Sequence, residues 1–265
     1  MTRLFSTALI AAFVTLAGDA DNAQPKDPPK NFTNSIGMKF VWIPPGNFMM
    51  GSPKEEQGRR DAETQHKVTL TKGFYIGVYT VTQEQWKEVI GNNPSKFNGK
   101  INLPVEQVSW DDCQEFVKKL RDKDTKAYRL PTEAEWERAS RGGQEGGLYP
   151  WGDEPPQERP EYRDRWGGAV LAPLPVGRGT PNPFGVYDLC ENVHEWCADW
   201  FNADYYAQSP QQNPAGPAEG ERRASRGGSW RHHIKVSRVA ARSSIPPAFQ
   251  YADYGFRVVR CSGGL

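Results

Sequence analysis

Four cysteines (Cys113, Cys190, Cys197, Cys261) and four histidines (His66, His194, His232, His233) are the side chains of this chain best suited to bind a metal or attack a substrate. No two cysteines stand in a CxxC spacing, and with so few histidines a structural zinc site is not expected. Four cysteines allow three disulfide pairings, and spacing selects none of them. His232 and His233 are adjacent, so on a strand they point to opposite faces and only one enters a given site. Imidazoles here could serve as ligands or bases. His194, beside an acidic turn, reads as a packing or capping group. The stretch Arg226-Gly-Gly-Ser-Trp-Arg-His-His-Ile-Lys-Val-Ser-Arg-Val-Ala-Ala-Arg-Ser243 gathers a hydroxyl, an indole, two imidazoles and several guanidinium groups. It holds no cysteine. Arg222, Arg223 and Arg226 read as a solvated basic loop and not as a phosphate site.

The elements that must position these groups are legible from local signals. Residues 36–50 read as a strand, a Pro-Gly turn and a second strand, and His66 to Thr82 again as strand. Residues 52–65, charged and turn-rich, read as a surface loop. Thr82-x-x-Gln85 is a capping box that opens a first helix, with Trp86, Val89 and Ile90 on its apolar face and Gly91 at its end. Ser109 caps a second helix carrying Cys113, Phe116, Val117 and Leu120 at i, i+3, i+4, i+7. Thr132-x-x-Glu135 opens a third, with Trp136 and Ala139 turned inward. After Gly142 the density of Gly and Pro forbids a long helix. Val193 to Trp200, Ser229 to Arg242 and Gly255 to Arg260 are short strand candidates, and residues 202–223 an inserted loop.

Composition bounds the class. The chain has 265 residues, 22 Pro, 26 Gly and 9 Trp, which predicts a loop-rich fold held by aromatic packing. A formal net charge of +1 provides no global field toward nucleic acid or an anionic membrane. At the N-terminus, Arg3 precedes an apolar run from Leu4 to Ala17 that is too short to span a bilayer and is followed by small residues. Residues 1–20 therefore read as a signal peptide, 21–35 as a disordered linker and 36–265 as one domain. No membrane span remains after cleavage, and the expected location is secreted or periplasmic, where disulfides are permitted.

Eight blocks occur in order: Asn47-Phe-Met-Met-Gly51, Pro104-Val-Glu-Gln-Val-Ser-Trp110, Arg129-Leu-Pro-Thr-Glu-Ala-Glu-Trp-Glu137, Tyr149-Pro-Trp-Gly152, Asn182-Pro-Phe-Gly-Val-Tyr-Asp-Leu189, Asn192-Val-His-Glu-Trp196, Arg226-Gly-Gly-Ser-Trp230 and Gly255-Phe-Arg257. Together they resemble the formylglycine-generating enzymes, or sulfatase-modifying factors, over about residues 36–260. The resemblance implies an α+β fold: a single compact C-type-lectin-like domain with little regular secondary structure. In those enzymes two cysteines after the Gly-Gly-Ser-aromatic block hold Cu(I), as soft thiolates should, and oxygen converts a sulfatase cysteine to formylglycine. Here His232 falls at the first thiolate position, and the second falls near Val236 or Ser237. Copper is therefore not expected. By the same resemblance a calcium site would use Asp188, the carbonyls of Glu191 and Val193, and Glu195, hard oxygen donors suited to Ca²⁺. A shifted Cys113–Cys261 bridge is implied, and Cys190 and Cys197 either pair or stay as buried thiols.

The functional expectations follow from the site and not the fold. The first is an exported, cysteine-deficient binding or accessory module whose cleft is lined by Ser229, Trp230, His232, Arg242 and Arg257. An arginine with aromatic neighbours can hold an extended peptide or another exported protein; alternatively, these arginines satisfy carbonyls in a loop-rich core. The second is a divergent oxidoreductase, using a non-haem metal or no cofactor, with Ser229 and His232 as catalytic candidates. The third retains formylglycine formation through Cys190 and Cys197.

Overall fold

The computed structural model describes residues 28–155, 158, 172–232 and 236–261. The expected signal peptide, His233 and residues 262–265 lie outside them. A five-stranded sheet in the order β1-β2-β5-β11-β6 (Asn31–Thr33, Lys39–Ile43, Phe74–Gly77, Val259–Cys261, Tyr128–Arg129) is antiparallel throughout. It separates two cores. Val41, Ile43, Phe74 and Ile76 face one, around Trp136; Phe40 and Tyr75 face the other, around Trp86, Phe116 and Phe256. This is the alternation a pleated strand imposes on successive side chains.

A second sheet has the order β10-β7-β8-β9 (Tyr254–Gly255, His194–Trp200, Arg223–Arg226, Ser243–Ile245), and β3 pairs with β4 (Gly46–Met50, His66–Leu70). The three helices stand where their caps put them: α1 Gln83–Ile90, α2 Trp110–Asp124 and α3 Glu133–Arg141. Each opens on a reciprocal capping box, from Thr82, Ser109 and Thr132, and α1 and α3 close on left-handed Gly91 and Gly142. Among the described residues no helix is long and apolar enough to cross a membrane.

The structure corrects several expectations. Residues 31–33, expected within a linker, form edge strand β1, because Phe32 stacks on Phe40 with ring centroids 4.7 Å apart. Residues 229–232 and 236–242 are turns and not strand, since Gly227 and Gly228 adopt positive φ and bend the chain out of the sheet. In the expected surface loop, Glu63 is fully buried, held by Arg238 and by the Ser52 hydroxyl at 3.0 Å. Of the arginines expected in a solvated loop, Arg222 is exposed, but Arg223 and Arg226 belong to strand β8, with Arg226 fully buried and Arg223 sandwiched between Trp110 and Trp200. All four cysteines are free thiols: the implied Cys113–Cys261 bridge is absent, and of the two alternatives for Cys190 and Cys197 the structure has buried thiols. Cys113 packs inside the core on α2, while Cys261 lies on half-buried β11 opposite Phe74.

Candidate functional site

Helix α3 shows what most of the buried charge does. Its entire length is buried, although sequence turned only Trp136 and Ala139 inward. Glu137 accepts from Arg226 at 2.6 Å and from Arg141 at 2.7 Å, and Glu133 accepts from Arg242 at 2.7 Å and Arg226 at 3.2 Å. Arg138 donates to the carbonyls of Pro44, Pro45 and Asn47. Apart from Arg226 Nε, the charged groups of this face are paired, several of them with distant segments, which is what makes a buried charge tolerable.

Two of the expected cleft residues belong to this framework. Arg242 lies 3.8 Å over the Tyr206 ring and is committed to Glu133. Arg257 is fully buried and grips both oxygens of Glu195 at 2.6 Å, while Trp136 Nε1 adds a third bond to Glu195 at 2.6 Å. Neither arginine reaches a ligand; both satisfy buried groups.

The same geometry tests the calcium set. Glu195 already has its charge neutralised by Arg257 and its oxygens taken by three N–H donors. Asp188 sits in the left-handed region at φ +59°, with Oδ2 accepting from Gly177 N–H at 2.7 Å. With Glu195 committed to Arg257, Asp188 is the one side-chain carboxylate left in this set, too little charge for a Ca²⁺ site, and the residues do not fit the ion. Copper fits no better. Cys190 and Cys197 are fully buried, with Cys190 4.0 Å from Ser140 Oγ and Cys197 donating to the Glu195 carbonyl. Burial pushes both thiols up, so neither is a thiolate at neutral pH.

Ser229, Trp230 and His232 do converge, and sheet register is the reason. Parallel pairing of β10 with β7 sets Tyr254 beside His194, and antiparallel pairing of β7 with β8 sets Arg226 beside Glu195. The chain leaving β8 through Gly227-Gly228 thus folds back over the start of β7. A Cβ on Gly228 would meet Ser237 Oγ at 2.6 Å and Val236 O at 2.9 Å, so only glycine allows this return. Ser237, near the second expected thiolate position, is fully buried with its hydroxyl unpartnered.

Within the turn, His232 Nδ1 lies 2.8 Å from His194 Nε2 and 3.2 Å from Ser229 Oγ. The Ser229 hydroxyl donates to Asp253 Oδ2 at 2.8 Å, and Arg231 pairs with Asp253 Oδ1 at 3.7 Å. The His194 ring stacks on Tyr254 with centroids 4.6 Å apart. Its Nδ1 is buried against the Arg226 backbone without a hydrogen bond of normal geometry. Burial, together with His232, drives His194 down to about 3, so it is a neutral imidazole. Burial also lowers His232, against the raising effect of Asp253. Trp230 packs edge-on against Phe97, with half-exposed Arg231 over its ring.

Sequence reasoning missed two acids here. Asp253, just before the Gly-Phe-Arg block, carries no local signal. Glu106, inside the Pro104–Trp110 block, is fully buried; Oε1 accepts from Phe97 N–H at 2.8 Å and Oε2 has no partner. Burial raises its carboxyl to about 7, with Asp253 adding to the shift. His194, expected as a packing group, stands at the centre of the cluster.

Compared with known proteins, residues 25–262 match the model of the sulfatase-modifying factor enzyme 1-like domain. The chain belongs to that family. It is 40% identical to the formylglycine-generating enzyme of Streptomyces coelicolor over 62% of this chain and 54% of that one. The chain thus spans about half the length of that relative. To the formylglycine-generating enzyme of Thermomonospora curvata it is 37% identical, over 87% of this chain and 96% of the other. Among solved structures it is similar to PvdO from Pseudomonas aeruginosa, with a TM-score of 0.78, 29% identity and coverage of 89% of this chain and all of that one. The α+β, C-type-lectin-like domain expected from the eight blocks is the fold observed.

Proposed function

We propose that this chain is an exported member of the family that binds its ligand at the Ser229–His232 turn through imidazole and carboxylate groups, and that it does not make formylglycine by the copper–thiolate route. The observation that supports this reading is the pairing of His232 Nδ1 with His194 Nε2 at 2.8 Å, at the position the family resemblance assigns to the first thiolate. The buried, protonated thiols of Cys190 and Cys197 speak against their replacing the missing pair. Trp230, Arg231 and the exposed Phe249 and Tyr251 offer a rim for an extended peptide of an exported partner. The test is incubation of the Cu(I)-loaded chain with a Cys-x-Pro-x-Arg sulfatase peptide and oxygen, read by mass spectrometry. The expected result is unmodified peptide; aldehyde formation that disappears in Cys197→Ser would overturn the reading.

A second reading, a divergent oxidoreductase, is favoured by Glu106. A buried carboxyl raised to about 7 beside Asp253 can hold or release a proton at neutral pH, as a general acid–base must. Turnover that Glu106→Gln abolishes while ligand binding persists would separate this reading from a pure binding module.

A further inference from the structure

We infer that His194 Nε2, His232 Nδ1 and the Asp253 carboxylate form a binding site for one divalent transition-metal ion of borderline softness, such as Fe(II), Co(II) or Zn(II). This deepens the proposed function, because it rests on ligand handling at the same turn.

Geometry supports it first. One donor atom from each of the three residues lies within 4.8 Å of the others, and they form the one such His/Cys/Asp/Glu group among the described residues. Two ligands each about 2.1 Å from one metal ion lie about 3 Å apart when they subtend a right angle. The two imidazole nitrogens stand at 2.8 Å, so a small opening admits the ion. The donors come from three separate segments: the start of β7, the turn after β8 and the residue before β10. Only the sheet register brings them together.

The surroundings orient the donors as metal sites require. Ligating histidines turn their second nitrogen to a carbonyl or carboxylate, and ligating carboxylates are themselves hydrogen-bonded. His194 has its ring plane set by stacking on Tyr254. Asp253 is oriented by the Ser229 hydroxyl. Arg231, the cation beside Asp253, is half-exposed and free to swing outward.

Donor chemistry narrows the ion. Two imidazoles and one carboxylate suit Fe(II), Co(II) or Zn(II); Ca²⁺ and Mg²⁺ require more oxygen donors, and Cu(I) favours thiolates. Three protein ligands leave coordination positions open to water or a ligand.

The test uses the full chain, stripped with EDTA and titrated with Co(II). The expected result is one Co(II) per chain, seen as visible d–d absorption without a thiolate charge-transfer band and displaced by Zn(II). His232→Ala and Asp253→Asn should each weaken binding at least about 100-fold, and Ser229→Ala about 10-fold through its effect on Asp253. His66→Ala should change nothing. Far-UV circular dichroism and urea midpoints establish that each variant is folded. Failure of the folded wild-type chain to bind Co(II), or binding that survives both His232→Ala and Asp253→Asn, would overturn the site. A chain that binds no Co(II) and makes no aldehyde overturns the metal inference alone; aldehyde production overturns the functional reading alone.

Discussion

Two regions of this molecule bury polar groups and treat them differently. Around α3, the Glu133, Glu137, Arg141, Arg226 and Arg242 side chains are mutually paired, with only Arg226 Nε left over. Around the Ser229–His232 turn, His194 Nδ1 and Ser237 Oγ are buried without partners, and so is Glu106 Oε2 beneath Phe97. Buried polar atoms are normally satisfied, so unsatisfied ones gathered in one place mark where the fold holds groups for something other than itself. The comparison also explains why Arg242 and Arg257 belong to the framework: each guanidinium is held by one carboxylate on one edge and by backbone carbonyls on the other, which leaves no nitrogen for a ligand.

The difference can be broken from either side. Arg257→Met should have the largest effect, a loss of about 3–5 kcal/mol in urea unfolding, because it leaves the Glu195 charge buried with only the Trp136 bond. Glu106→Gln should act in the opposite direction. The folded carboxyl keeps its proton up to about pH 7, whereas the unfolded one releases it near 4.5. The wild-type contribution is thus full below pH 4.5 and lost as pH rises through 7. The variant should be more stable at pH 8 by at most about 3 kcal/mol, with the gain gone by pH 4.5; a pH-independent difference would contradict the assignment.

Smaller effects sharpen the contrast. Thr132→Ala removes the α3 cap and should cost about 1 kcal/mol in the same unfolding assay without altering ligand binding at the turn. Calcium addition or EGTA should leave the thermal midpoint unchanged, since Arg257 already neutralises Glu195. A calcium-dependent rise in midpoint would return the Asp188–Glu195 turn to consideration.

The helix starts were legible because capping is local. Thr82, Ser109 and Thr132 each bond a backbone N–H three residues away, and nothing distant is needed to see it. The 229–242 segment misled because its β-branched and aromatic residues fit a strand, while Gly227-Gly228 overrode that preference by turning the backbone. The Cys113–Cys261 bridge implied by the resemblance is absent, and all four thiols are free in the fold. Arg226 looked solvated because sequence shows its charged neighbours and not Glu137, which lies 89 residues earlier.

Sequence by itself determined the family, the three helix starts and the lack of any cysteine between Cys197 and Cys261, because each is written in residue identity or in contacts spanning a few positions. Only the tertiary structure decided that His232 meets His194 and that Asp253 joins them. It also decided that Arg242 and Arg257 serve the core. Those outcomes depend on the register of β7 against β8 and β10, a long-range pairing that no local pattern specifies.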